Sequence, residues 1–345
     1  MTKYGLTEHW SELITTYFDK CDVDTYFTEN YVKLYASDSE KAICFYYIND
    51  DFCLLFPFLK RTFLFQGQEY HDFETAYGYG GPLWNRDVSE FIEMGLVCFS
   101  QLCKREHYVA GFIRFHPLLN NQKHSEIVAQ IIPERRTIDI DLHENIEDIW
   151  MHEIHTKNRN VIKKGIKSGL VFHLDENFVH LEEFIKLYNH TMNKVSAEDF
   201  YYFSKEYYNR FVHLITHSFL AYATFDDKIV AAALFFYSNK LGHYHLAGSD
   251  RNYLKISPNN FLLWNVAKEM RTRGIERFHL GGGNNADEKN SLFCFKSRFS
   301  KHTNQFYIGK MIFDAETYSN ICNVWEQKNP DKAIQYKHHL LKYKY

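Results

Sequence analysis

The run Arg277-Phe278-His279-Leu280-Gly281-Gly282-Gly283 carries an apolar, strand-like stretch into three consecutive glycines. With Ala286 following, Gly281-x-Gly283-x-x-Ala286 has the spacing of a loop that brings backbone against a pyrophosphate at a helix start. Such a fingerprint opens a nucleotide-binding unit and is followed by an acidic residue about 20 positions on. Only about 60 residues follow Ala286, too few to complete that unit. A polar loop, Asn284 to Asn290, precedes a short helix expected around Leu292 to Phe299, and Asp314 comes too late to be the acid. The glycines therefore read as a clearance. The strand Glu276 to Leu280 ends, and Gly281, Gly282 and Gly283 let the chain turn without side chains that block a ligand.

Other polar groups stand where phosphate or carbonyl chemistry is feasible. Lys255, Ser257, Asn259 and Asn260 precede or open a helical pattern, where unpaired backbone N–H groups collect. Plain helix capping explains them equally well. Lys157, Arg159, Lys163, Lys164 and Lys167 cluster within roughly three helical turns. A solvated helix face is the default explanation, and a phosphate-contacting face is the sharper one. His243 and His245 alternate along a strand pattern, which puts them on one face and Tyr244 on the other.

Metal chemistry finds no matching spacing. His152 and His155 are three apart, His338 and His339 are adjacent, and His152-Glu153 is followed by Thr156 where a second histidine of a zinc-binding helix would stand. The seven cysteines, Cys21, Cys44, Cys53, Cys98, Cys103, Cys294 and Cys322, are odd in number and scattered among apolar residues. They read as buried free thiols in a reducing cytoplasm.

The elements that must position these groups fall into two similar passages. In the first, Ala42–Ile48 and Phe52–Leu59 flank the turn Asn49-Asp50-Asp51, then come the Gly/Pro-rich loop Tyr77 to Asn85, a helical pattern Val88–Glu106 and the strand Tyr108 to Pro117. In the second, Phe219–Phe225 and Ile229–Tyr237 flank Asp226-Asp227-Lys228, followed by the strand Leu241–Gly248. A helix then starts at Ser257-Pro258 and stops at Gly274, with Leu262, Leu263, Val266, Ala267 and Met270 as its buried stripe. Two more strands, Ile275 to Leu280 and Thr303 to Asp314, close the passage. The expected fold is α+β (α/β), a duplication with domains 1–145 and 146–345, the second including a basic linker helix at 146–169.

At 345 residues with 45% hydrophobic content the chain supports two cores, and the aromatic share of 17% supplies much of them. The net charge of -3 and the pI near 6.7 give no electrostatic footprint for DNA. The N-terminus has no leader pattern, and the longest apolar run, Ile229–Tyr237, is far short of the roughly 20 residues that cross a membrane. A cytoplasmic protein without membrane insertion is expected.

Several segments together resemble the Fem-type transferases, tandem relatives of the GNAT superfamily of N-acyltransferases. They are "KNRNVIKKGIKSGL", "YNHTMNKVSAEDFYYFSKEYY", "HYHLAGSDRNYLKISPNNFLLW" and "GIERFHLGGG…LFCFKSRFS". The loop "GYGGPLWN", with Tyr79 and Gly81, is similar to the Gly-Pro loop of their first domain. The match is collinear over roughly residues 40 to 310. It implies two tandem GNAT-like domains, each a mixed, mainly antiparallel sheet flanked by helices. It also implies a reaction without metal, in which an amine attacks an activated acyl carbonyl.

The resemblance implies acyl-CoA, of acetyl or 3-hydroxybutyryl type, as donor. The acceptor would be the amino group of a nucleotide-linked, for example dTDP-linked, amino deoxysugar for O-antigen or other surface polysaccharide. The alternatives are aminoacyl-tRNA-dependent peptidyl transfer in a peptidoglycan cross-bridge, or a non-catalytic binding module on the same fold. Two departures are visible. "RNYLKISPNN" lacks the glycines of the usual GNAT pyrophosphate loop, and Glu182 to Leu214 lacks the heptads of the coiled-coil arm found in some Fem enzymes.

That reaction needs a base to take the proton of an ammonium, for which His243, His245 and Asp250 are candidates, with Tyr244 hydrogen-bonding the acyl group or sugar. It also needs donors for an oxyanion, for which backbone N–H groups from Ala247 to Ser249 and the ammonium of Lys296 are candidates. Phe295-Lys296 matches the Phe-Lys pair near the active site of the Fem family, so Lys296 is expected to contact an anion or oxyanion.

Overall fold

The structure is a computed structural model that describes residues 2–19, 23–194, 201–238 and 240–345. Cys21 lies outside these residues. The chain forms two compact units, Met1–Glu134 with Gln305–Tyr345, and Arg135–Asn304. The division therefore falls at Arg135, not near 145, and the end of the chain groups with its beginning.

The first unit is built on the hairpin β2 (Glu40–Asn49) and β3 (Phe52–Phe65). Asn49 faces Phe52 across a two-residue turn whose first member, Asp50, takes a φ of 52°, the left-handed backbone that tight hairpins need and that Asp tolerates. β1 (Lys3–Thr7) and β4 (Gln68–Glu74) flank the hairpin, and β5 (Leu83–Trp84) adds a short pairing to β3. β6 (Tyr108–Arg114) runs parallel to β4. The helices are α1 (Ser11–Tyr17), α2 (Glu29–Tyr35) and α3 (Ser89–Arg105). α3 buries Phe91, Ile92, Leu96, Phe99 and Leu102 against the sheet, the helical spacing its sequence carries. Phe56, Phe58, Phe73 and Phe99 interlock there, with Phe58 and Phe73 centroids 4.7 Å apart, so much of the aromatic content is core.

The chain enters the second unit along β7 (Gln130–Asp141). The expected linker helix is broken. α4 (Ile146–Asp148) continues into a π-helical turn at Ile149–Glu153, Ile154 is extended, and α5 (Thr156–Lys167) starts afresh. There follow β8 (Val171–Asp175), α6 (Leu181–Lys194), α7 (Lys205–Leu214), β9 (Ser218–Phe225), β10 (Lys228–Tyr237) and β11 (Leu241–Ser249). The β9–β10 turn is Asp226-Asp227, both at positive φ, which matches the twist of the strands it joins. A 3-10 turn at Arg251–Ile256 leads to α8 (Pro258–Thr272), then β12 (Arg277–Gly282) and α9 (Ser291–Lys296).

Strand order in this unit is β7-β12-β11-β10-β9-β8. All its pairings are antiparallel except β11 with β12, joined through α8 as a parallel crossover. β10 has Ala231, Ala233 and Phe235 in the core that also holds Leu262, Leu263 and Val266 of α8. Ala232, Leu234 and Phe236 are buried as well, which is why this strand reads as one apolar run.

The last strand, β13 (Thr303–Ile312), does not close the second passage. It pairs antiparallel with β6, Ile308 opposite Arg114 and Ile312 opposite Ala110. α10 (Ala315–Lys328) and α11 (Pro330–Gln335) follow it, and Ile321, Leu340 and Leu341 cover Val109 and Ala110 of β6.

Candidate functional site

The parallel pairing of β11 and β12 lasts for three residue pairs, Leu241–Arg277, Gly242–Phe278 and His243–His279. Beyond His243, β11 stays on β10 while β12 stays on β7, so the two central strands part. A bulge in β11 accompanies the parting: Leu246 faces Leu234 and Tyr244 faces Phe235, leaving His245 without an opposite residue. Asp250 N donates to Val230 O at 2.9 Å. By the alternation of antiparallel ladders, Gly248 is directed to β10 and Ala247 turns its N–H away from it, to the side from which β12 has diverged. The Ser249 N–H is occupied, donating to Thr191 Oγ1 at 3.1 Å. Of the expected oxyanion donors on this strand, Ala247 is the one so directed.

Lys296 ends α9, a short helix capped by Asn290, whose Oδ1 accepts from Leu292 N and Phe293 N. The lysine is only 8% exposed. Its Nζ donates to Gly282 O at 2.8 Å and lies 5.8 Å from the centre of the Tyr244 ring. Burial, with the charge of Arg135 added, pushes its pKa down to about 7. Tyr244 and Phe295 pack on the same core, and burial pushes the Tyr244 hydroxyl well above its ordinary range. The second unit thus brings together Lys296, Phe295 and Tyr244 beside the end of β12.

His243 and His245 share the opposite surroundings. Phe236 lies against both rings, at 5.0 and 5.4 Å, and Phe211 of α7 stacks on His245 at 5.5 Å. The Tyr207 hydroxyl and His245 Nε2 are 2.7 Å apart. Burial first, then His243, pushes the pKa of His245 down to about 3, which makes it a poor base for the ammonium it was a candidate to deprotonate. His243 is buried and has His279 at 5.8 Å. The two imidazoles are not brought to Lys296; Tyr244, between them in sequence, is.

Asp250 accepts from Lys228 Nζ at 2.8 Å and from Asn252 N at 3.0 Å. The Lys228 ammonium, with the Asn252 N–H, holds its carboxyl below the ordinary carboxylate range, and a carboxylate so held is a weak base. At the start of α8, Ser257 occupies the cap position with φ 58° and makes no side-chain cap bond. Asn259 Nδ2 donates to Ser249 Oγ at 3.0 Å and Asn260 Nδ2 to the buried Asn158 Oδ1 at 2.7 Å, tying the helix start to β11 and α5. Lys255 is exposed. Arg159 Nη1 reaches the carbonyls of Trp150, Met151 and Ile154 at 2.7 to 3.1 Å. It thereby satisfies the end of the π-helical turn. Lys163, exposed, lies 6.0 Å from the Trp150 ring centre.

The glycine run is filled by protein. Gly281 has φ 75° and sits at a register shift against β7. A Cβ on Gly282 would lie 2.6 Å from Arg136 O, and one on Gly283 would lie 2.9 Å from Asn290 Oδ1. The clearance the sequence suggested therefore admits β7 and α9. Arg135 makes use of it. Its side chain lies across Gly282, and its Nη1 donates to Gly283 O at 2.8 Å. Sequence reasoning missed Arg135; the signal was the paired Arg135-Arg136 at the head of the alternating run Thr137 to Leu142.

Tyr79 and Gly81 belong to the first unit. Tyr79 packs with Tyr26, His116 and Phe306 at 5.2 to 5.8 Å. The buried Asn121 fixes their loop, its Nδ2 donating to Gly80 O and Pro82 O and its Oδ1 accepting from His116 N. His116 Nδ1 accepts from Leu118 N at 3.2 Å, so its Nε2 carries the proton that faces Asp24 Oδ2 at 2.9 Å.

Residues 155–290 match the family of acetyltransferase (GNAT) domains. In fold, the chain is similar to FemX, with a TM-score of 0.73 at 12% identity, over 93% of this chain and 99% of that one. It is also similar to a tandem GNAT protein from the clavulanic acid biosynthesis pathway, TM-score 0.53 at 7% identity, over 91% and 99% of the two chains. A third likeness is to the C-terminal domain of a putative lysylphosphatidylglycerol synthetase from Agrobacterium fabrum, TM-score 0.54 at 15% identity, over 86% and 90%. No curated protein matches by sequence.

Proposed function

We propose that this chain is an N-acyltransferase of the Fem-type, tandem-GNAT kind, a reading supported by its acetyltransferase (GNAT) domain match and its fold, and that it moves an acyl group from acyl-CoA to the amine of a nucleotide-linked amino sugar. The parting of β11 from β12 beside the buried Lys296 carries this reading. An extended thioester laid along β11 in that opening presents its carbonyl oxygen to the Ala247 N–H. There the donor is already oriented before negative charge develops.

The acceptor arrives as an ammonium and must lose a proton to become a nucleophile. Lys296, with a pKa near 7, has an appreciable amine fraction at neutral pH and takes that proton. The amine nitrogen then bonds to the acyl carbon and the C–S bond breaks. The departing thiolate takes a proton from the Lys296 ammonium, and the proton of the new amide nitrogen goes to solvent. The sum is amide plus thiol. Tyr244 packs at the lysine and bounds the acyl group.

The test is thiol release with a panel of acyl-CoA donors and nucleotide amino sugars, run on the wild type and Lys296→Met. We expect release that depends on both substrates and falls at least 100-fold in the variant. Equal rates in the two proteins would remove Lys296 from the reaction, and no release with any pair would remove the donor and acceptor named. The whole-length likeness to FemX favours a second reading, transfer from aminoacyl-tRNA to a cell-wall precursor amine. Charged tRNA in the same panel separates the two.

A further inference from the structure

We propose that Arg135 is a positioning residue for Lys296, fixed on the neighbouring carbonyl so that its guanidinium keeps the lysine a free amine able to accept a proton. The inference rests on the acyl-transfer role given to Lys296.

Two consecutive carbonyls hold the two cations. Lys296 Nζ donates to Gly282 O at 2.8 Å and Arg135 Nη1 to Gly283 O at 2.8 Å. The lysine comes from α9 and the arginine from β7, and the glycine backbone between them fixes the separation. Gly282 makes room for this: a Cβ there would lie 2.6 Å from Arg136 O and 3.2 Å from Arg135 Cδ, so a side chain would press on the strand backbone and crowd the arginine. The guanidinium stays charged at every relevant pH. Placed near a second cation in a site with little water, it opposes the charged form of its neighbour.

The other groups around the lysine do not counter it. From β11 comes Tyr244, a neutral phenol held above its ordinary pKa. From β12 comes a carbonyl, and α9 has no charge but Lys296. Among the described residues, the one charge acting on Lys296 is Arg135, and it adds to burial in the same direction. His245 is engaged by the Tyr207 hydroxyl, and Asp250 is bonded to Lys228. Burial first, and the arginine after it, thus give a base at this position what it needs.

Carbon-13 NMR of lysine-labelled full-length protein titrates Lys296 directly, the resonance being assigned by its loss in Lys296→Met. We expect a midpoint near neutral pH in the wild type, and the same within about 0.3 of a pH unit in Arg135→Lys. In Arg135→Gln, which retains a donor for Gly283 O without the charge, the midpoint should rise by about one unit or more. The ascending limb of the kcat/KM–pH profile should move with it. An unmoved midpoint in folded Arg135→Gln overturns the proposal, as does a wild-type midpoint near the ordinary lysine value. Because the titration needs no substrate, an absence of acyl transfer would sink the enzymatic reading while the NMR result still decides the electrostatic one.

Discussion

A buried lysine is an unusual thing for a chain to keep, and its cost indicates what Lys296 is for. Below pH 7 both the folded and unfolded chain carry the proton, and the folded one carries it in a place with little water. Between about pH 7 and the ordinary lysine range the unfolded chain binds a proton that the folded chain does not. Unfolding then takes up a proton, so stability rises with pH across that window. Lys296→Met, similar in volume and without charge, removes the penalty. We expect it to be more stable than wild type at pH 6, by on the order of a few kcal/mol, and to lack the rise above pH 7. Urea unfolding at pH 6 and pH 9 measures both. Equal pH dependence in the two proteins would mean the amine is solvated, and its role as base would go with it.

At the scale of elements, the close approach of α6 to β11 is as sharply specified as the lysine. A Cβ on Gly248 would lie 2.5 Å from the backbone of Leu187 and Tyr188. Next to it Ser249 N donates to Thr191 Oγ1 of the same helix. Gly248→Ala must push α6 off the strand, with an expected loss of about 1–3 kcal/mol and a drop of several degrees in Tm. A Tm within one degree of wild type would show that the helix yields at no cost.

This contact also marks what the sequence reveals and what it conceals. Hairpins at Asp50 and Asp226-Asp227, the stripe of α3 and the start and stop of α8 are local, and residue spacing encodes them. The Phe295-Lys296 pair was legible through family likeness. The company of Lys296 was not: Arg135 reaches it by pairing of β7 with β12, a contact between distant stretches. His243 and His245 alternate as expected, yet spacing alone does not reveal the bulge or the Phe211 and Tyr207 rings that make His245 a core residue. Nor does the glycine run disclose that protein atoms approach Gly282 and Gly283 closely.

For the whole molecule, the surprise is the order in which the chain spends its last strand. A simple duplication would leave each unit continuous, whereas the first is made of Met1–Glu134 and Gln305–Tyr345. In its sheet β13 lies beside β6, and the apolar residues Val109 and Ala110 are covered by Ile321, Leu340 and Leu341. The tail is also held by charge. Lys344 pairs with Glu40 at 2.7 Å and with Glu74, whose other partner, Arg114, is at 3.0 Å. Although burial alone would raise the Glu74 pKa, Arg114 and Lys344 bring it down to about 2.

A chain ending at Asn304 keeps every residue of the second unit and loses β13, one of the two strands paired with β6. It leaves a strand edge bare, an apolar face wet and a carboxylate short of one cation. We expect this truncated chain to lose the cooperative unfolding of the first unit. Amide exchange read by mass spectrometry should show β6 and β4 unprotected while β9 and β10 remain protected. Protection of β6 equal to that in the full chain would mean the first unit is complete without its returning segment, and the discontinuous organisation would carry no stability.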